Sequence, residues 1–164
     1  MFFIYFDLEN EFMITTVLID LYSREIDKLK NEILAFESDD LLWRTPDPSI
    51  TAAGNQCLYI AGTLQHFIGN VIGDSGYIRN KEAELKAKNV PRERLLEEVE
   101  NMRQVVVDTL EQVSKTELQK QFPTNDFEEP VTTEFYLIHL LKNLGFHLGQ
   151  ISLLRQLMSV KIEN

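Results

Sequence analysis

The sequence has few of the residues that staple or punctuate a chain: one cysteine, five prolines and seven glycines among 164 residues. The lone Cys57 excludes an intramolecular disulfide framework and any Cys-x-x-Cys motif, and it fits a reducing compartment. The sparse glycines and prolines form no repeat, low-complexity tract or Gly/Ser linker, so nothing divides the chain. Positive charge is also short. Sixteen Lys and Arg stand against 26 Asp and Glu, a formal net charge of −10, which argues against nucleic acid or an anionic membrane as the main partner. No apolar run is long enough to span a bilayer. The opening MFFIYFDL lacks the basic start and small-residue cleavage site of a signal peptide, so a cytoplasmic protein is expected. Phosphate-cradling glycine loops, His-Glu-x-x-His and the nucleophile elbow are missing, as are the alternating runs that mark strands.

Helical periodicity is abundant. Met13 opens MITTVLIDLYSREIDKL, so residues 1–12 read as an N-terminal extension and 13–164 as a single domain. Apolar residues at steps of three and four predict a helix over 14–36. Acidic residues, Pro46 and Pro48 then force a connection, from which Leu41, Leu42 and Trp43 fold back over the core edge. A second helix runs to about Ile72, capped by Ser49 or Thr51. It buries Cys57, Ala61, Leu64, Ile68 and Val71, and lines up Tyr59, Gly62, His66 and Gly69 on another face. Glycines inside a helix cost about 1 kcal/mol each relative to alanine, which points to close approach of a neighbouring helix or of a ligand. Pro91 opens a third helix whose stripe is Leu95, Val99, Met102, Val106, Leu110 and Val113. Glu93, Glu97, Glu98 and Glu100, beside Arg92, Arg94 and Arg103, read as a solvated face favourable to the helix dipole. A short turn over 114–120 and a polar loop over 123–130 lead to a last helix capped by Thr132 or Thr133. Four long helices imply an all-α bundle with long connections.

The last helix, 133–158, is apolar on almost every side and is therefore expected to be the most buried. It carries one polar line, His139, Asn143, His147 and Gln150, within a strip roughly 80° wide. Unsatisfied buried polar groups cost roughly 1–3 kcal/mol each, so this line is the best candidate site. His139 and His147 are eight residues apart, about 12 Å along the axis, too far for one ion. By spacing alone it is not a metal site, and His66 and His139 read as satisfied core or boundary residues.

Leu42-Trp43, the run 54–64 (GNQCLYIAGTL), the run 76–81 (GYIRNK), the run 90–93 (VPRE) and above all 146–151 (FHLGQI) resemble the DinB-like superfamily of four-helix-bundle metalloproteins. This resemblance covers nearly the whole chain from Met13 and implies a DinB-like four-helix bundle. Metal-bearing members take one histidine from the second helix and two, four residues apart, from the fourth. The matching positions here are Tyr59, Asn143 and His147, and only His147 retains the ligand. The resemblance thus implies a degenerate metal site, with Tyr59, Asn143 and His147 lining a polar pocket that binds a small molecule or serves structure, and no cofactor. One alternative is weakly bound zinc or nickel, with His147 as a ligand in a divalent-metal-dependent thiol transferase or hydrolase that uses an incomplete triad. Another is metal-free acid–base catalysis by His147. The superfamily's habits also imply a homodimer, through a face the sequence does not identify.

Overall fold

The computed structural model describes the backbone of residues 3–159 and the side chains of 14–159. The elements are α1 (Phe3–Leu34), a 3-10 turn (Asp39–Trp43), α2 (Ala53–Leu64) running straight into a π-helical segment (Gln65–Ile72), α3 (Lys81–Lys86), α4 (Arg92–Gln112), α5 (Lys115–Gln119) and α6 (Thr133–Ser159). Among the described residues there is no strand, only an isolated bridge between Gln121 and Thr132. The all-α expectation holds. Among the described residues no helix is long and apolar enough to cross a membrane.

α1 is continuous through position 13, and its side chains before Ile14 lie outside the described residues. It stops at Leu34 rather than Phe36 because a distant cation takes its last carbonyls: the Arg92 guanidinium donates to Leu34 O at 3.1 Å and Phe36 O at 2.8 Å. Phe36 stays buried beyond the helix end. Leu42 is fully buried, and Trp43 lies against Gly54 while its indole donates to Val90 O at 3.2 Å. Neither Ser49 nor Thr51 caps α2. Ala52 occupies the cap position, Ser49 Oγ donates to Asp47 at 2.6 Å, and Thr51 offers only its carbonyl, to Gln56. The segment between Gly76 and Pro91 contains a helix the sequence reading omitted, α3, capped by Asn80 Oδ1 accepting from Ala83 N at 3.0 Å. The expected turn over 114–120 is α5, opened by a Ser114–Glu117 capping box. Thr132 Oγ1 accepts from Phe135 N at the start of α6.

Side-chain pairs across the interfaces give the topology. α1 runs antiparallel to α4, since Lys30 meets Glu100 and Asp27 meets Arg103. It runs parallel to α6: Tyr22 Oη donates to Leu137 O at 2.6 Å, and Arg155 Nε reaches Glu32 at 2.6 Å. α2 is antiparallel to α6, where Gln56 meets His147 and Phe67 meets Tyr136, and parallel to α4, where Gly69 meets Val105 and Gly73 meets Thr109. The four long helices thus form a square with α1 opposite α2 and α4 opposite α6. The space between them is filled by Tyr22, Ile26, Leu29, Leu64, Val99, Leu140, Leu144 and their neighbours in one core. The glycine face of α2 serves packing, as close approach requires: Gly62 meets Glu84, Gly69 meets Val105 and Gly73 meets Thr109. The widening of α2 into a π-helix is backed by tertiary packing, with Phe67 edge-on to Tyr136 at 5.3 Å and against Phe122 at 6.2 Å.

One burial expectation is overturned. α6 is not enclosed on all sides: Phe135 and Ile138 are 49% exposed, Phe146 60%, Leu153 56% and Leu157 46%. In a square of four helices each member meets the core and two flanking helices, and its outer side faces away whatever its composition.

Candidate functional site

The antiparallel pairing of α2 with α6 sets Tyr59 against His147, their ring centroids 5.3 Å apart and tilted by 48°. One turn before Tyr59 on α2, Gln56 is buried, and its Oε1 lies 3.0 Å from His147 Nδ1. The Gln56 amide is itself oriented, because Nε2 donates to Thr51 O at 2.9 Å. An amide oxygen only accepts, so His147 carries its proton on Nδ1 and leaves Nε2 as a bare lone pair. Burial lowers the His147 pKa below its ordinary value, favouring that neutral form.

Asn143 turns the other way along the strip. Its Nδ2 lies 3.2 Å from His139 Nε2 and donates to it, one turn back on α6. His139 packs edge-on against Phe127 at 5.0 Å and beside Tyr136 at 5.8 Å. Tyr136 in turn donates to Asp126 at 2.6 Å, which holds the Asp126 carboxyl below its usual range. Gln150 is exposed. The strip therefore divides into a His139–Asn143 pair and a His147–Gln56–Tyr59 group.

Three contributors to this region were missed by the sequence reading. Gln56 is one, and the others are Arg79 and Lys81, which lie in the run 76–81, noted above for its resemblance but given no role at the site. Arg79 Cζ stands 4.8 Å, and Lys81 Nζ 5.5 Å, from the Tyr59 ring centroid. Arg79 is fixed in place by a forked ion pair to Glu84, at 3.0 and 2.9 Å, and by donation to Tyr59 O at 3.2 Å. The signals that could have found them were their places in the resembling runs 54–64 and 76–81 and the i, i+3 spacing of Gln56 and Tyr59. Cys57 is fully buried, and burial, aided by Glu98, pushes its thiol up to about 12, so it is packing and not a nucleophile. Separate clefts of about 330 and 200 Å³ at the far end of α2 include none of Tyr59, Asn143 and His147. Their acidic groups are already engaged: Asp108 accepts from Gln104, and Glu117 closes the Ser114 capping box.

The residues at the three ligand positions do not fit a zinc- or nickel-type ion. They offer one imidazole nitrogen, an amide oxygen and a phenol that ligates well only when deprotonated. Lys81 beside the Tyr59 ring adds repulsion for a dication. Among the described residues, no three His, Cys, Asp or Glu side chains are grouped so that they could hold a metal.

No protein-family model matches the sequence, and no curated protein matches it. Among solved structures, a DinB-like protein from Bacillus cereus ATCC 10987 superposes with a TM-score of 0.68 over 90% of this chain and 94% of that chain, at 14% sequence identity. The chain has a DinB-like fold. At that identity the likeness speaks for the DinB-like architecture alone, and the site must be argued from this chain's own residues.

Proposed function

We propose that the protein is a metal-free DinB-like binding protein whose polar site, formed by Tyr59 and His147 with Gln56 behind them and the His139–Asn143 pair at its border, takes a small molecule. The observation that carries this reading is the Thr51–Gln56–His147 relay, which fixes an unprotonated Nε2 beside Tyr59 at a half-buried position. A bare imidazole nitrogen is an acceptor for a ligand hydroxyl, amide or acid. Tyr59 presents an aromatic face already flanked by Arg79. The same lone pair supports a second reading, metal-free acid–base catalysis with His147 as the base. We also propose that the chain self-associates.

Two measurements test the binding reading. Metal analysis of protein purified without added metal is expected to give well under one divalent ion per chain; one tightly bound ion per chain overturns it. Restoring the histidines, Tyr59→His with Asn143→His, is expected to raise zinc affinity by about a hundredfold or more, because positions 59, 143 and 147 then offer three imidazoles. No gain would mean that the three positions do not converge.

A further inference from the structure

The outer side of α6 is unusual in this molecule on two counts. It carries Phe135, Ile138, Phe146, Leu153 and Leu157, each 46–60% exposed, and the flank of α1 turned toward α6 adds Val17 and Leu21, 44% and 41% exposed. Its α6 part is also free of negative charge, and the carboxylate at the seam with α1, Glu32, is held by Arg155 and Ser152. The chain holds 26 acidic residues, yet none falls between positions 135 and 162, and the outward charge on this side is Lys142.

We infer that this face is where a second copy of the chain packs, and that the second copy shields the open side of the Tyr59–His147 site. The inference rests on the self-association proposed above and assigns it a surface. Three observations favour a second copy as the occupant. The first is charge: two chains of net charge −10 repel, and the outer surface of α6 offers contact with no carboxylate of its own. The second is area. Seven side chains of this size at these exposures present roughly 500–650 Å² of apolar surface, at or above the largest patch on a typical monomer and most of the ~800 Å² that each partner gives to a standard interface.

The third is shape. Gly149 lies one turn from Phe146 on the outer side of α6 and Gly145 one turn before Gly149, and a Cβ built on either would meet nothing within 4 Å. A projecting ring beside two open notches is self-complementary, as a two-fold interface demands: Phe146 of one copy can seat over Gly149 of the other, and the reverse. The link to the site runs through Phe146, whose ring lies edge-on to His147 at 5.3 Å. A copy seated on Phe146 and Gly149 also stands over exposed Gln150, next to the Asn143–His147 strip.

Sedimentation velocity of the full chain across micromolar concentrations tests the surface. A dimer is expected, and Ile138→Glu and Leu153→Glu are each expected to raise its dissociation constant by about tenfold or more while leaving the circular dichroism of the monomer unchanged. Gly149→Ala is expected to raise the melting temperature of the monomer, because alanine favours helix, yet to weaken the dimer by filling the notch. A monomeric parent overturns self-association itself. A dimer that neither glutamate weakens overturns this face while leaving self-association standing. The shielding is read from the His147 imidazole resonance, which is expected to move between dilute and concentrated parent and to stay fixed in Leu153→Glu. If it stays fixed in a parent whose dimer the substitutions dissolve, the second copy does not reach the site.

Discussion

At the scale of single residues, His147 is governed by a neighbour's neighbour. Thr51 O orients the Gln56 amide, and Gln56 in turn selects the imidazole tautomer, so a backbone carbonyl that never touches His147 decides which of its nitrogens is free. Acid opposes this arrangement. The pKa of folded His147 lies below its ordinary 6.5, so as pH falls beneath that value the unfolded chain takes up a proton that the folded chain resists. The stability that His147 contributes is therefore whole above pH about 6.5 and lost as pH drops through the folded value. His147→Gln keeps a donor for Gln56 and removes the titration. Urea unfolding of parent and variant is expected to run in parallel above neutrality and to diverge below it, the parent losing stability faster. His147 and the packing role of Cys57 were readable from position on a helix. Gln56 as the partner of His147 was not, because that contact depends on the register of α2 against α6, which no local pattern states.

At the scale of elements, α3 packs on α2 chiefly through Glu84. Glu84 reaches back over α2 so that its carboxylate occupies the space a Cβ at position 62 would need, and Arg79 holds it there with both side chains largely buried, 13% and 10% exposed. Glu84→Ala strands a buried guanidinium and is expected to cost about 3 kcal/mol. Gly62→Ala evicts the clamped carboxylate and is expected to cost about 2 kcal/mol. The double variant is expected to cost well below the sum, because the added methyl then enters space the carboxylate has left; denaturant unfolding of the four proteins measures the coupling. Simple additivity would show that the two groups do not compete for one volume. The close approach at Gly62 was legible from a glycine inside a helix, but its occupant was not, since α3 has only six residues and an amphipathic stripe needs more length to declare itself. The long helices were legible because their stripes repeat over several turns. The end of α1 was misplaced by two residues because its cap comes from Arg92, far along the chain.

At the scale of the whole molecule, charge and the apolar face of α6 oppose each other. Two copies at −10 repel over distances that salt screens, whereas the contact between their apolar faces does not depend on ions. Dimer formation is therefore expected to strengthen, by several-fold in association constant, as ionic strength rises from about 0.01 M to 0.15 M, over which the screening length falls from about 30 to 8 Å. Sedimentation in the two buffers checks it, and weaker association in salt would point to an interface held by ion pairs. That this face is open was not visible in the sequence: a helix apolar all round reads as enclosed, and only the square arrangement shows which side is left over.

The same arrangement orders events in time. α1 rests on α4 and α6, and α2, next to it in sequence, stands diagonally across the bundle. α1 is thus without its main supports until residues 92–112 have left the ribosome, and its second flank stays open until the 27 residues of α6 are complete. Contacts that span so much of the chain slow folding relative to bundles built from neighbouring hairpins. A nascent chain halted before Arg92 would carry the bare stripe of Tyr22, Ile26, Leu29 and Ile33, a binding site for chaperones that the finished protein conceals.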